Sequence, residues 1–143
     1  MTVYVDTSVV LRRLLRQPDA IEGWGTWDAA YTSVLCRIEF ARTTDRLRLE
    51  GGITDDERGA LREQFELFWA SVHRIRLEDR VMERAEQSFP TIVGTLDAIH
   101  LASALTVQAS GLARFDRLLT HDEQLGNAAR AVGLKVAGVK AKR

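Results

Sequence analysis

The stretch Thr2-Val3-Tyr4-Val5-Asp6-Thr7-Ser8 decides the interpretation of the chain. Its β-prone first part predicts a strand over Thr2–Val5, which brings a carboxylate and two hydroxyls to its carboxyl end. In parallel α/β sheets these ends border the crevice in which ligands bind. Asp6 or Thr7 is equally suited to cap the next helix, since both residue types are common N-caps. The positions of the other acids decide between a site and a cap.

The composition is that of an ordinary folded domain. The chain has 143 residues, 45% of them hydrophobic and 28% charged, so we expect a single domain over residues 1–143 with its own core. No apolar run approaches the ~20 residues that span a bilayer. Asp6 interrupts the first apolar run, so we expect no signal peptide. The lone Cys36 excludes an internal disulfide, and we expect a cytoplasmic protein without membrane contact.

The net charge is zero, with 20 basic and 20 acidic residues, which by itself does not favour a nucleic-acid partner. The balance changes if several acids are committed to a metal ion. Arginines cluster on two predicted helices, around Arg12–Arg16 and Arg42–Arg48. Each cluster is explained either by phosphate binding or by an ordinary solvated helix face.

Strand and helix patterns alternate along the chain. Strands are predicted at Thr2–Val5, Ala30–Ser33, His73–Leu77, Leu118–Thr120 and Leu134–Val136. Helices are predicted at Val9–Leu15, Val34–Gly51, Thr54–Trp69, Val81–Phe89, Leu96–Val107 and Glu123–Val132. This alternation is typical of a three-layer α/β/α sandwich with a short, mainly parallel central sheet. Right-handed crossovers would place all strand carboxyl ends at one edge.

Asp97 lies in the first turn of a helix that Thr95 is predicted to cap. A negative charge there stabilises a helix by about 0.3–1 kcal/mol, so helix stability alone explains the acid. However, the helix from Leu96 to Leu105 is apolar on nearly all sides. A carboxylate at the start of a buried helix needs a partner, which favours a functional role.

Two further acids are placed to meet Asp6. Glu39 lies at the rim between the apolar stripe of its helix and solvent, where a surface ion pair with Arg42 is the alternative. Asp122 follows a strand, as Asp6 does, and its alternative role is a helix cap. Asp116 competes with Asp122, but it precedes the strand and should lie at the opposite edge.

Carboxylates gathered at one edge repel each other, and they remain ionised together only if a cation neutralises them. Oxygen ligands without a cysteine or histidine set select Mg²⁺ or Mn²⁺ rather than Zn²⁺. Such ions suit phosphoryl chemistry, because they bind phosphate oxygens and stabilise the leaving oxygen.

With these residues in place, the chain resembles PIN-domain nucleases, specifically toxins of the VapC type. The matching stretches are Val5–Ser8, Ile38–Arg42, Leu96–Ala102 and Leu119–Asp122. Each motif alone is weak, but the four occur in order and span essentially the whole chain.

The resemblance implies the roles of the site residues. The metal-binding and catalytic acids of the family map onto Asp6, Glu39, Asp97 and Asp122. The supporting hydroxyls map onto Ser8 and Thr120. The arginines that are candidates for RNA contacts are Arg12, Arg13 and Arg42.

The resemblance also implies a function. It indicates a Mg²⁺- or Mn²⁺-dependent endoribonuclease, a phosphodiester hydrolase that cleaves structured RNA such as tRNA or rRNA and so inhibits translation. It implies a small cognate VapB-type antitoxin in a type II toxin–antitoxin system, and a homodimer or a toxin–antitoxin hetero-oligomer. A non-toxin PIN nuclease of RNA processing and a catalytically silent RNA- or protein-binding PIN module stay open as alternatives.

Two other features carry weaker predictions. His100 is predicted to be a packed histidine with one backbone partner, with a catalytic base as the alternative. The Phe65–Trp69 segment, together with Leu14 or Leu15, is predicted to form a groove for an antitoxin helix. Aromatic residues at helical spacing are more often core residues, which is the alternative for this segment.

Overall fold

A computed structural model of the protein describes residues 1–140, so residues 141–143 of the predicted domain lie outside the described part. The elements, in chain order, are β1 (Thr2–Val5), α1 (Thr7–Leu14), β2 (Ala29–Ser33), α2 (Leu35–Leu49), α3 (Asp55–Ser71), β3 (His73–Ile75), α4 (Asp79–Glu86), α5 (Thr95–Ala109), β4 (Arg117–Leu119), α6 (Glu123–Ala131) and β5 (Val136–Ala137).

The strands form one parallel sheet in the order β3-β2-β1-β4-β5. The central strand, β1, has β2 on one side and β4 on the other. The chain therefore builds the sheet outward from β1 to β3, then returns to the other side of β1. In open α/β sheets, ligands typically bind at the carboxyl ends of the two strands where the direction of growth changes. Asp6 follows β1 and Asp122 follows β4, so both acids lie at those ends.

Helices cover both faces of the sheet. Side chains alternate between the faces along a strand, and β1 places Val3 and Val5 on one face and Tyr4 on the other. The two valines pack with residues of α1, α2 and α3, whereas Tyr4 packs with residues of α4, α5 and α6. This arrangement confirms the predicted three-layer α/β/α sandwich. Among residues 1–140, no helix combines the length and the apolar character that crossing a membrane requires.

Several predicted boundaries were wrong by a few residues. Strand β3 ends at Ile75 rather than Leu77, because its pairing with β2 ends there and Leu77 is exposed. Strand β5 begins at Val136 rather than Leu134, since the Leu134 N–H is used by the end of α6. Helix α4 begins two residues before and ends three residues before its predicted bounds. Backbone pairing, rather than the length of an apolar run, sets these limits.

Some of the predicted helix caps are present in the structure and one is not. Thr54 and Glu57 form the predicted capping box of α3. The predicted cap at Thr95 was wrong, because Gly94 is the N-cap of α5 and no side chain caps that end. Asp6 and Asp122 do cap α1 and α6 through their side chains. Each of these two acids therefore caps a helix and also lies at the carboxyl end of a strand, where the site is predicted.

Gly138 directly follows β5 and its backbone packs closely against Thr120. Its substitution tests this close approach. A Cβ at this residue would lie 2.2 Å from the Thr120 carbonyl oxygen, and its φ is +103°. Gly111, with φ +77° and nothing within 4 Å of such a Cβ, is the matched control. We expect Gly111→Ala to cost about 1–2 kcal/mol of strain alone and Gly138→Ala to cost more, measured by urea denaturation. Equal losses of stability in the two variants would show that Gly138 does not pack closely against Thr120.

Candidate active site

The structure brings the four predicted acids to the carboxyl edge of the sheet. Asp6 follows β1, Glu39 lies on α2, Asp97 lies in the first turn of α5, and Asp122 follows β4. Asp6 is almost fully buried at 4% exposure, and the other three are partly exposed. The acids are close enough that the charges on Asp122 and Asp6 act on Asp97.

Asp6 is held by hydroxyl groups on both sides. Its Oδ2 atom accepts hydrogen bonds from Ser8 Oγ at 2.6 Å and from Thr120 Oγ1 at 2.9 Å. Both hydroxyls named from the sequence, those of Ser8 and Thr120, therefore contact the Asp6 carboxylate.

The same hydroxyls anchor the segment that carries Asp122. Ser8 Oγ accepts a hydrogen bond from the His121 N–H at 3.0 Å, and Thr120 Oγ1 accepts one from the Asp122 N–H at 3.0 Å. Asp6 and Asp122 are thus linked through Thr120, although 116 positions separate them in sequence. This network fixes the distance between the two strand ends.

Glu39 points into the protein rather than toward Arg42. Its Oε1 atom accepts a hydrogen bond from Thr7 Oγ1 at 2.8 Å and lies 2.6 Å from His100 Nε2. His100 is fully buried, as predicted, but the predicted backbone partner was wrong. The imidazole instead joins Glu39 to the Tyr4 hydroxyl, which lies 2.6 Å from Nδ1.

The Glu39 and His100 side chains stabilise each other's charged forms. Burial alone would raise the pKa of Glu39, but the hydrogen bond and charge of His100, with the Thr7 hydroxyl, leave that pKa lowered. Burial would likewise lower the pKa of His100, but hydrogen bonding to Glu39 and the charges on Asp6 and Glu39 raise it. Both shifts favour an ion pair at this position.

Asp97 and Asp122 are the two acids of the site whose negative charge has no basic partner among the described residues. The pKa of Asp97 is raised to about 7, first by burial and then by the charges on Asp122 and Asp6. His100 is the one basic side chain that forms an ion pair with any of the four acids in residues 1–140. The cluster therefore carries more negative charge than its surroundings neutralise.

The donor set suits a hard divalent cation in its chemistry, since it consists of carboxylate and hydroxyl oxygens. The unbalanced charge at Asp97 and Asp122 also favours a cation. Within residues 1–140, however, no three His, Cys, Asp or Glu side chains are already arranged so that they could hold a metal ion. Cation binding at this edge would therefore require side-chain rotation.

The competing acid, Asp116, lies at the other end of the sheet. It precedes β4, and its Oδ2 atom accepts a hydrogen bond from the Thr2 N–H at 2.7 Å, at the start of β1. Asp116 is thus separated from the Asp6 cluster by the length of the strands.

The arginines predicted as RNA contacts lie outside the acidic cluster. Arg12 and Arg13 occupy the last turn of α1, whereas Asp6 caps its first turn. Arg42 is 68% exposed and forms an ion pair with Asp45 at 3.0 Å. They flank the site at a distance rather than entering it.

The predicted groove at Phe65–Trp69 was wrong in part. Phe65 and Trp69 are buried in the core, where Phe65 stacks on Phe40. Aromatic residues at helical spacing here face inward. Leu14 and Phe68 do line a surface cavity of about 540 Å³, and the neighbouring Leu67 is 76% exposed.

Two solved structures of similar fold are toxin–antitoxin complexes. The described fold matches a chain in the crystal structure of VapBC2 from Rickettsia felis bound to a DNA fragment from their promoter, with a TM-score of 0.64 and 14% identity over 96% of this chain and 98% of that chain. It also matches a chain of a toxin–antitoxin complex from Klebsiella pneumoniae, with a TM-score of 0.61 and 15% identity over 97% of this chain and 99% of that chain. At this identity the similarity establishes the fold alone.

Sequence comparison identifies the family. Residues 3–131 match the family model described as PIN domain. Ribonuclease VapC46 of Mycobacterium tuberculosis is 31% identical over 137 residues, which cover 94% of this chain and 95% of that protein. Ribonuclease VapC47 of the same species is 30% identical and covers 99% of both chains. The chain therefore belongs to the PIN-domain family and, within it, to the VapC proteins.

Proposed function

We propose that this protein is a metal-dependent endoribonuclease toxin whose site consists of Asp6, Glu39, Asp97 and Asp122. The observation that carries the proposal is the convergence of four carboxylates with one basic partner. Burial, together with the charges on Asp122 and Asp6, raises the pKa of Asp97 to about 7. A structural cluster of this kind costs stability unless a cation offsets its charge.

A bound Mg²⁺ or Mn²⁺ would neutralise these carboxylates and stabilise the charge that develops on a phosphate during cleavage. The residues of the chain would prepare the site for it. Ser8 and Thr120 hold the Asp6 carboxylate in one orientation. Thr7 and His100 do the same for Glu39. Asp97 and Asp122, which have no basic partner among the described residues, supply the uncompensated charge.

The proposed substrate is structured RNA, such as tRNA or rRNA, and its cleavage would inhibit translation. Support comes from the two relatives described above, both named ribonuclease, which are 30–31% identical to this chain over nearly their whole length. Arg12 and Arg13 on α1 are the proposed phosphate contacts. Arg42 is expected to contribute less to phosphate binding, because its guanidinium is already paired with Asp45.

The proposed protein partner is a small VapB-type antitoxin, in line with the toxin–antitoxin complexes that share the fold. The uncompensated negative charge at Asp97 and Asp122 suits a basic side chain of such a partner. In the proposed groove beside α1, the exposed Leu67 is accessible to an antitoxin helix, whereas Trp69 is not. A homodimer or a hetero-oligomer with the antitoxin is the expected assembly.

Loss of either central acid is expected to abolish cleavage without unfolding the protein. Asp6→Asn and Asp97→Asn should each lower the rate of RNA cleavage by about 100-fold or more, because each removes charge that the reaction needs. The measurement is the appearance of new 5′ ends in total RNA incubated with Mg²⁺ or Mn²⁺. Asp116→Asn is the matched control, since Asp116 lies at the opposite edge. A folded Asp6→Asn protein that cuts at the wild-type rate would refute the proposed site.

The stability of the metal-free protein should depend on pH through Asp97. Its pKa is about 7 in the folded protein and about 3.9 in an unfolded chain. Between these values the folded state binds more protons than the unfolded state, so stability falls as pH rises. Asp97→Asn removes this loss. We therefore expect Asp97→Asn to gain free energy of unfolding relative to wild type between pH 5 and pH 8, measured by urea denaturation in EDTA.

Addition of Mn²⁺ at pH 8 should restore much of that stability to wild type and little to Asp97→Asn, because the ion binds the folded state alone. A difference between the two proteins that stays constant with pH would contradict the assignment of the charge to Asp97.

A further inference from the structure

The buried histidine beside the acidic site uses both of its ring nitrogens. His100 Nε2 lies 2.6 Å from Glu39 Oε1 and 3.5 Å from Asp6 Oδ1. On the other side of the ring, Nδ1 lies 2.6 Å from the Tyr4 hydroxyl. The imidazole thus spans the space between the central strand and two of the four acids.

The partners of the His100 ring determine which of its two nitrogens donates a hydrogen bond and which accepts one. An ionised carboxylate only accepts hydrogen bonds, so Nε2 must carry a hydrogen that points toward Glu39. In a neutral ring Nδ1 is then an acceptor, and the Tyr4 hydroxyl donates to it. In a doubly protonated ring the Tyr4 oxygen accepts from Nδ1 instead. In both cases the hydrogen on Nε2 faces the carboxylates.

Packing alone does not explain the Tyr4 hydroxyl. Tyr4 is fully buried on β1, and its ring packs edge-on against Phe115 at 5.8 Å between centroids. A phenylalanine would make the same apolar contacts without burying a hydroxyl, which costs free energy unless it is hydrogen-bonded. The side-chain partner of this buried hydroxyl is His100, whose Nδ1 lies 2.6 Å away.

We propose that Tyr4 and His100 are positioning residues that hold the Glu39 carboxylate in place for a divalent cation. This inference rests on the proposed function, since it assumes that Glu39 binds the ion. Hydrogen-bond partners that orient metal ligands typically contribute about 10–100-fold to metal affinity. The pair would therefore contribute to metal affinity without touching the metal or the RNA.

The test measures Mn²⁺ affinity directly, by calorimetry or by the electron paramagnetic resonance signal of free Mn²⁺. His100→Leu removes the donor and should weaken binding by about 10–100-fold. Tyr4→Phe keeps the ring and should weaken binding in the same direction by less. His100→Gln should recover part of the loss, because its amide can donate to Glu39. Ser103→Ala is the control on the same buried face of α5, where the Ser103 hydroxyl bonds only the Ile99 carbonyl.

A second readout separates positioning from a general effect on folding. Nitrogen-15 NMR of the wild-type His100 ring should show a protonated Nε2 and a hydrogen-bonded Nδ1, and Tyr4→Phe should change the Nδ1 resonance. Thermal unfolding shows which variants are folded, and Tyr4→Phe preserves the core contacts if His100→Leu does not fold.

The outcomes distinguish this inference from the function on which it rests. If Asp6→Asn loses Mn²⁺ binding while folded His100→Leu and Tyr4→Phe bind as tightly as wild type, the positioning role is overturned and the proposed metal site stands. If wild type and Asp6→Asn bind Mn²⁺ equally, both proposals are overturned. Weaker binding in the His100 and Tyr4 variants, with partial recovery in His100→Gln and normal binding in Ser103→Ala, supports the pair.

Discussion

Repulsion among carboxylates at one sheet edge is the constraint on which the rest of the structure depends. Asp6, Asp97 and Asp122 are held near each other by three separate elements, and burial together with the charges on Asp122 and Asp6 raises the pKa of Asp97 to about 7. The fold offsets part of this repulsion with hydroxyl donors to Asp6 and with the imidazole beside Glu39. The part that remains, at Asp97 and Asp122, would favour the cation that we propose for this site.

The sheet makes this arrangement rigid. Strand β1 is central and buried on both faces, so Asp6 cannot move away from its neighbours without disturbing the core. Strand β4 lies beside it and brings Thr120 within reach of Asp6. These two strands lie where the chain changes its direction of sheet growth, the place where ligands typically bind in such sheets. The position of the site thus follows from the topology, and its charge follows from four side chains.

The sequence could predict the features that depend on local order. An acid after an apolar strand identified Asp6 and Asp122, and a parallel sheet placed them at one edge. The partner of Glu39 could not be predicted, because His100 lies 61 positions away in an apolar helix on the other face of the sheet, and only the fold brings the two side chains together. The assignment of Phe65 and Trp69 to a surface groove was wrong for a related reason: periodicity shows that aromatic residues share a face, but not whether that face is covered.

The most direct measurement of the central claim is a crystal structure of the protein soaked in Mn²⁺, with anomalous diffraction used to locate the ion. The account predicts an anomalous peak coordinated by carboxylate oxygens of the cluster Asp6, Glu39, Asp97 and Asp122, with Asp97 or Asp122 rotated from its metal-free position. A peak at other acids, such as Asp45 or Asp116, with none at this cluster would contradict it.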